Sequence, residues 1–571
     1  MVKGWVECRM QSNSFLLLLL TFSTIVFSAA EVRLPFPPNA VSNHRRSDVY
    51  HAKKRLDRAL HGAPRTLQSS WNLEPFQRAL FFWSRAGPIV LHYQFTQWWI
   101  RNRTKEQRHL TYEGLHNAYC EPSLRICLHL QGLFTKIGQV LSARPDFVPH
   151  QYVELLATVQ DSIPQWPFDQ VKDIMVVALQ QNQGLRWEDV FEEVDGIALG
   201  SASIGQCHRA VLKSPWDSRF REVAVKVMHP NAEAKFRHDF KIFKWLCRLA
   251  LPGWKPILDE LQKQMMTEFD YNQEARNLEE VSDNMMVSPY RDKVAIPRPI
   301  FELCSKNLLV MEYLPGKKLV SSIEERLASA IGNIEAAKAF LKQKQKDLVQ
   351  GKVAVRDKMS DVTELIAFCE KSTDHEDSKF ALSRWLLYYK LVMLQRHFKR
   401  TVQTLLDVHG HQIFLNRVFN GDCHPGNILE LSNGKIGLID YGQTKRLTEK
   451  EAISIAKIVS ELGHAVIDTR KVATAMRECG FQTKWDKDDV LTMYAKLFFD
   501  SDDEAKAEEC ATPQMYLMKL SSLDPLLHVP DAAIFTARTS YLFRGMGSLA
   551  GEHINTSKYW KKHADQLLKS E

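Results

Sequence analysis

A predicted β hairpin near residue 430 is the feature that most restricts how this chain can fold. Asn433-Gly434 lies between two stretches, 427–431 and 435–440, and this dipeptide is typical of the tight turn that joins antiparallel strands. The pattern therefore predicts a hairpin that begins at Asn427 and ends at Asp440.

Three polar residues around the hairpin point to a metal-phosphate site. Asp422 and Asn427 are five residues apart, as in a kinase catalytic loop, where the Asp orients or deprotonates the attacking group and the Asn binds Mg²⁺. Asp440-Tyr441-Gly442 follows the second strand and has the form of a DFG motif, whose Asp holds the metal that bridges the phosphates. Hard oxygen ligands of this kind suit Mg²⁺.

A lysine upstream extends the pattern. Val223-Ala-Val-Lys226 places a Lys at the end of a short β run, from which it can reach the α- and β-phosphates of ATP if a carboxylate orients it. Taken alone this tetrapeptide says little, because many strands carry an exposed Lys. The order strand-Lys, Asp-x₄-Asn and Asp-x-Gly is much more specific, and it predicts a kinase-type fold that binds ATP and Mg²⁺.

The distribution of strand and helix patterns agrees with that fold. Strands are predicted within 196–227 and as a pair within 301–313, whereas 105–185, 232–280, 320–405 and 448–571 read as helical. We therefore expect an α+β protein with two lobes and a large helical C-terminal lobe.

Further motifs resemble the UbiB-type atypical kinases, which contain an AarF domain and are associated with coenzyme Q and other prenyl-quinone lipids. The resemblance covers roughly residues 105–445. The matching segments are Lys136-Ile-Gly-Gln139 (KxGQ), Leu199–Gln206 with Gly200, Ser201, Ala202, Ser203 and Gly205 (the phosphate loop), Glu268-Phe-Asp270 (ExD), Glu274, Asp422–Asn427 and Asp440-Tyr-Gly442.

The resemblance implies a role for each motif. Lys226 would pair with Glu274, and the small residues of the phosphate loop would let backbone N–H groups approach the nucleotide. An N-terminal helical extension would fold over the active site and bring Lys136 near Glu268 and Asp270. A lid of this kind takes the space that a peptide substrate needs.

The residue pattern, together with the resemblance, suggests boundaries. The expected segments are a signal peptide or anchor (1–30), a basic transit-like segment (31–70), the helical extension with KxGQ (71–194), the kinase-like N-lobe (195–316), a helical insertion leading into the C-lobe (317–405) and the C-lobe with the catalytic and metal loops (406–571).

Four positions depart from the family pattern. Gly200 and Ser201 replace two residues of a triple alanine, which leaves the preference between ATP and ADP open. Cys423 stands in place of Pro and Tyr441 in place of Phe, and neither change removes a ligand. A transition-metal site made of His409, His411, Cys423 and His424 is an alternative use of the same region, although Asp422 and Asn427 explain that loop better.

Charge and cysteine content argue against two other classes of protein, nucleic-acid-binding proteins and disulfide- or zinc-stabilised proteins. Of the net charge of +8, residues 31–70 contribute +5, from eight Lys and Arg against three Asp and Glu, so the rest of the chain is nearly neutral and a nucleic-acid-binding body is not expected. The ten cysteines form no CxxC pair and read as free thiols. An apolar run after Lys3 and Arg9 predicts a signal peptide, or alternatively an uncleaved membrane anchor.

The aromatic segment 71–99 allows two interpretations, a helix lying on a membrane or a helix packed on the domain, and we expect packing.

The function expected first is an ATPase or phosphotransferase that acts on a membrane lipid or quinone precursor, associated with a mitochondrial or plastid membrane and possibly with a lipid-biosynthesis complex. The alternatives are a Ser/Thr protein kinase and a non-enzymatic nucleotide-binding scaffold.

Overall fold

A computed structural model describes residues 75–142, 149–156, 165–202, 204–250, 262, 265–331, 380–503, 513–549 and 553–570. The predicted leader (1–30), the basic segment (31–70), Ser203 and most of the predicted insertion lie outside these residues. The chain forms two compact units. We call Arg33–Tyr271 with Ile300–Val310 the N-terminal unit, and Asn272–Pro299 with Met311–Glu571 the C-terminal unit; Met1–Val32, which is assigned with the latter, is not described.

The N-terminal unit starts with helices, as the sequence predicts for 105–185. They are α1 (Pro75–Trp99), α2 (Lys105–Leu130), α3 (Gly132–Ser142), α4 (His150–Leu156), α5 (Phe168–Gln183) and the short α6 (Trp187–Val190). The helix α7 (Ala232–Ala250) follows the first four strands of this unit's sheet, and one more strand comes after it.

That sheet carries the predicted lysine. Its strands are β1 (Phe191–Val194), β2 (Gly200–Ser201), β3 (Gly205–Leu212), β4 (Glu222–Met228) and β6 (Leu308–Glu312), in the order β1-β3-β4-β6 with β2 paired to β3. Val223, Val225 and Val227 of β4 are buried in the core. Because side chains alternate along a strand, Lys226 projects from the opposite face of the sheet.

The C-terminal unit contains the predicted hairpin. Strands β9 (Ile428–Leu431) and β10 (Ile436–Leu438) are antiparallel, and Gly434 has the positive φ of +80° that the turn needs. Two short strands, β5 (Val294–Ala295) and β7 (Gly316–Lys318), flank the hairpin in the order β5-β10-β9-β7.

Helices make up most of the remainder of this unit, as predicted for 448–571. They are α8 (Tyr271–Met286, whose first residue belongs to the N-terminal unit), α9 (Leu319–Ile331), α10 (Phe380–His411), α11 (Glu449–Leu462), α12 (Thr469–Cys479), α13 (Asp488–Phe499), α14 (Pro513–Leu523), α15 (Asp531–Leu549) and α16 (Thr556–Lys569). Two further strand pairs are β8 (Val418–Asn420) with β11 (Thr444–Arg446), and β12 (Gln482–Thr483) with β13 (Leu526–His528).

One local prediction is wrong. The strand pair expected within 301–313 is a single strand, β6, because Phe301–Leu303 forms a 3₁₀ turn instead. The side chain of Leu303 is buried in the core from that turn, so its apolar character reflects burial and not extended backbone. Among the described helices, none has the length and apolarity to span a bilayer.

Candidate functional site

The phosphate loop of the N-terminal unit is a tight turn between β2 and β3. The amide of Ala202 donates to the carbonyl of Gly205 at 2.8 Å, and Gly200 and Ser201 pair with Cys207 and Gln206. The buried hydroxyl of Ser201 has no hydrogen-bond partner among the described residues. A phosphate oxygen would satisfy this group, so the loop fits the predicted nucleotide.

Gly205 has no room for a side chain. A Cβ there would lie 2.5 Å from the carbonyl oxygen of Val227 and 2.5 Å from the hydroxyl of Tyr271. Lys226 lies on the adjacent strand, with its Nζ 5.2 Å from the centre of the Tyr271 ring, so the aromatic face helps to position the ammonium group. Tyr271 therefore lies beside both Gly205 of β3 and Lys226 of β4.

Two residues next to the loop hold the preceding segment in place, a role that the sequence did not reveal. The side-chain oxygen of Gln206 accepts from the Trp166 amide at 2.9 Å, and its nitrogen lies 3.3 Å from the Trp166 carbonyl and 2.9 Å from Nε2 of His208. His208 Nδ1 lies 2.7 Å from the Asp195 carbonyl and is therefore its donor, which leaves Nε2 to accept from Gln206. Burial lowers the pKa of His208, in keeping with a neutral ring.

The KxGQ and ExD residues also belong to the N-terminal unit. Lys136 is half-buried on α3, which also carries Gln139, and α3 packs against α7. Glu268 lies in the 3₁₀ turn Thr267–Phe269, directly before Asp270. The expected approach of Lys136 to these carboxylates stays a prediction.

In the C-terminal unit, the catalytic loop and the Asp440 segment are joined by a residue that we did not predict. Asn420, at the end of β8, accepts from the Asp422 amide at 2.7 Å and donates to the Asp440 carbonyl at 2.7 Å. One amide side chain therefore fixes the spacing of the two predicted aspartates.

Asp422 is further held by a buried arginine on α15. Nη2 of Arg538 donates to Oδ1 of Asp422 at 2.8 Å, and Nη1 donates to Gln443 at 3.0 Å. The Arg538 side chain is 2% exposed. A charge-assisted bond in such a dry setting fixes the orientation of the carboxylate. No sequence signal identified Arg538, because it lies 116 residues from its partner.

Asn427 and Asp440 lie at the same end of the hairpin. The Ile439 amide donates to the Asn427 carbonyl at 3.2 Å, and the Gly442 amide donates to Oδ1 of Asp440 at 3.0 Å. A Cβ built on Gly442 would lie 3.4 Å from Asp440 Oδ1 and 3.7 Å from Oε2 of Glu274. The buried Glu274 thus brings a second carboxylate to this place, and oxygen donors of this kind fit Mg²⁺.

Tyr441, which replaces the family Phe, is fully buried, and both its side chain and its backbone accept a hydrogen bond. Its hydroxyl accepts from Gln412 at 3.2 Å, and its carbonyl accepts from Asn277 at 2.8 Å. Burial raises the pKa of the phenol far above its usual value. The substitution therefore keeps the aromatic anchor and adds a hydrogen bond.

The transition-metal alternative finds no support in the described residues. Nδ1 of the buried His409 lies 2.9 Å from the Leu405 carbonyl, and His411 packs against Tyr290. Burial raises the pKa of the Cys423 thiol, which disfavours the thiolate that a metal requires. No group of three or more His, Cys, Asp and Glu among the described residues is arranged to hold a metal ion.

Known proteins resemble this chain in the same region. The family model of the ABC1 atypical kinase-like domain matches residues 158–351 and 389–476. "AarF domain-containing protein kinase 1" of Xenopus laevis is 35% identical over 198 residues, which cover 34% of this chain and 36% of that protein. The protein of the same name from Xenopus tropicalis is 24% identical over 76% of this chain and 71% of that protein.

A plant relative and a solved structure were also found. "Protein ACTIVITY OF BC1 COMPLEX KINASE 1, chloroplastic" of Arabidopsis thaliana is 25% identical over 62% of this chain and 41% of that protein, so the alignment spans less than half of the plant protein. The complex of Rv3197 with erythromycin from Mycobacterium tuberculosis aligns with 81% of this chain and 98% of that chain, at 18% identity and a TM-score of 0.42.

The domain match includes the phosphate loop, Lys226, the ExD residues, the catalytic loop and Asp440-Tyr441-Gly442. It begins after Lys136 and Gln139, which stand on the resemblance alone. With the α+β fold and these motifs in their expected order, the chain belongs to the ABC1 atypical kinase-like family.

Proposed function

We propose that this protein binds ATP with Mg²⁺ and either transfers the terminal phosphoryl group of ATP to an acceptor or hydrolyses the ATP. The observation that carries the proposal is the cluster around the β9–β10 hairpin, where Asn420 ties the Asp422 loop to Asp440 and where Glu274 lies beside Asp440. A purely structural loop has no need for the buried carboxylates of Asp422 and Glu274 together with the half-buried Asp440, because each buried ion costs desolvation energy.

Each side chain has a defined task in this proposal. Bound Mg²⁺ would neutralise charge on the phosphates, and Asp440 and Asn427 would hold it. Lys226, the Ser201 hydroxyl and the backbone around Gly205 would bind phosphate oxygens. Asp422, oriented by Arg538, would position the attacking hydroxyl or water and take its proton.

The test is ATP turnover by the purified full chain with Mg²⁺, measured with and without lipid vesicles. We expect Asp440→Asn to lower turnover by roughly a hundredfold, because it removes a metal carboxylate. Asp173→Asn, an exposed residue of α5, is the matched control and should turn over like wild type. Equal turnover by all three proteins would contradict the proposal.

The proposed acceptor is a membrane lipid or quinone precursor and not a peptide. This rests on the UbiB-type motifs, in which the KxGQ segment would close the peptide groove. Vesicle-stimulated turnover without phosphorylation of added proteins is the expected result. Efficient phosphorylation of a defined protein would favour the protein-kinase alternative instead.

The proposed location is an organelle, in line with the name "chloroplastic" carried by two Arabidopsis relatives and with the leader predicted for residues 1–70. Fluorescent fusions of the full chain and of a chain without residues 1–30 would test it. We expect only the full chain to reach a plastid or mitochondrion.

A further inference from the structure

Helix α1 of the N-terminal unit is apolar on two sides. Its inner side packs against α2, α3 and α7 through Phe82 and Ala86, and the buried Arg78 donates to Asp239 of α7 at 3.0 Å and to the Leu130 carbonyl at 2.8 Å. These contacts fix the rotation of the helix, so its other side is held outward.

That outer side is unusually rich in large apolar groups. We define the α1 face as Phe76, Leu80, Leu91, Phe95 and Trp98, whose side chains are between 58% and 77% exposed. Leu91, Phe95 and Trp98 follow Leu80 by 11, 15 and 18 residues, which are close to whole numbers of helical turns. The five side chains therefore form one stripe. The expectation that this segment only packs on the domain holds for the inner side and is incomplete for the outer one.

Within residues 75–105, the segment that carries the stripe, every Lys, Arg, Asp or Glu is a cation. Residues 75–105 contain no Asp or Glu, while Arg85 lies on α1 and Arg101 and Arg103 follow it. The guanidinium groups of Arg101 and Arg103 lie 5.7 Å and 4.7 Å from the ring centres of Trp98 and Trp99. These contacts keep the positive charges at the aromatic end of the stripe.

This charge decides between the possible occupants of the α1 face. A second copy would bring the same cations together with no carboxylate in 75–105 to compensate them. Residues 31–70 of the same chain carry a net charge of +5 and meet the same objection. An anionic lipid surface satisfies both features, since Trp and Phe favour the interface and Arg attracts phosphate headgroups.

We infer that the α1 face docks the protein on an anionic phospholipid bilayer, with Trp98 at the depth of the headgroups. The helix lies on the membrane and does not cross it. Docking requires no nucleotide, so this inference goes beyond the proposed function and rests on it only for what the docked protein then does to lipid.

The decisive measurement is quenching of tryptophan fluorescence by brominated lipids, in vesicles of phosphatidylcholine with and without phosphatidylglycerol, using the full chain. Wild type should be quenched only when phosphatidylglycerol is present. Trp98→Phe/Trp99→Phe keeps the stripe apolar, so it should still sediment with the vesicles but lose most of the quenching. Because Trp5 lies within residues 1–30, the quenching assigned to the α1 face is the difference between wild type and Trp98→Phe/Trp99→Phe, which both contain Trp5.

Two further variants test the sources of binding. Arg85→Gln/Arg101→Gln/Arg103→Gln should weaken vesicle partitioning by on the order of a hundredfold, and Leu80→Ser/Leu91→Ser/Phe95→Ser should abolish the quenching. The matched control, Lys450→Gln/Arg470→Gln/Lys558→Gln, removes three exposed charges elsewhere and should quench like wild type. Circular dichroism checks that each variant is folded.

Three results would overturn the inference. The first is equal quenching of wild type and Trp98→Phe/Trp99→Phe. The second is a serine variant whose molecular mass in light scattering differs from that of wild type while its quenching does not. This result would assign the face to a second copy. The third is quenching that is absent in the full chain and appears only in a chain without residues 1–74. This result would assign the face to that segment.

Discussion

Arg538 determines whether Asp422 can remain a buried carboxylate. Arg538→Met leaves that carboxylate without its partner, and breaking a buried pair from one side costs about 3–5 kcal/mol. We expect a loss of this size in the free energy of unfolding of the C-terminal unit, measured with urea, together with a loss of ATP turnover.

A double-mutant cycle separates the pair from simple packing. Asp422→Asn/Arg538→Met removes both charges and should be more stable than Arg538→Met alone. Arg477→Met, which breaks two partly exposed pairs with Asp486 and Asp488, is the control and should cost less than about 2 kcal/mol. Additive losses in the cycle would contradict a direct role of Arg538 on Asp422.

The residues proposed to contact ligands stand out from the sequence more readily than the residues that hold them in place. Asp422, Asn427 and Asp440 stand at a recognisable local spacing, because in the proposed function all three would reach one ligand from the ends of a short hairpin. Asn420 and Arg538 act through contacts that the fold creates, and the second crosses 116 residues of sequence. Spacing within a motif carries no information about such a partner.

At the scale of elements, β3 and β4 approach each other closely at Gly205. Gly205→Ala would place a methyl group against the Val227 carbonyl, and strain of this kind costs about 1–3 kcal/mol. We expect lower stability and weaker ATP binding, measured by urea unfolding and calorimetry. In Gly114→Ala, on the exposed side of α2, the new methyl meets nothing within 4 Å and should stabilise by up to about 1 kcal/mol. Equal effects of the two substitutions would exclude the steric argument.

Elements with a turn signal or a long period were predictable, and short apolar runs were not. Asn433-Gly434 located the hairpin because few other pairs adopt that turn. Phe301–Leu303 looked like part of a strand because a 3₁₀ turn that buries one apolar side chain, here Leu303, can have the same composition as a strand end. The two sides of α1 could not be separated from sequence, since both are apolar and only packing shows which one is buried.

At the scale of the whole molecule, composition and motif order predicted the α+β class and the helical C-terminal region. They did not predict that 300–310 would join the N-terminal unit after the chain has entered the other unit at residue 272. That return follows from β6 pairing next to β4, a contact between distant strands. The domain boundaries drawn from the residue pattern and the resemblance stay predictions.

Buried histidines give both units a common dependence on pH. Burial lowers the pKa of His229 in the N-terminal unit and of His409 in the C-terminal unit, each to about 4. The unfolded chain binds a proton at these residues near pH 6.5, while the folded protein does not. Their contribution to stability is therefore complete above pH 6.5 and is lost progressively as the pH falls toward 4.

Because the unfolded chain takes up a proton at each of these two histidines, each should lower the free energy of unfolding by about 1.4 kcal/mol at a pH one unit below 6.5. We expect urea titrations at about pH 7.5 and about pH 5.5 to show this loss in both units, well before most carboxylates titrate. His409→Gln should flatten the dependence in the C-terminal unit, because the neutral amide cannot take up the proton. His528→Gln, at an exposed position of β13, should leave the dependence unchanged. A slope that is the same in both variants would show that His409 takes up its proton in the folded protein.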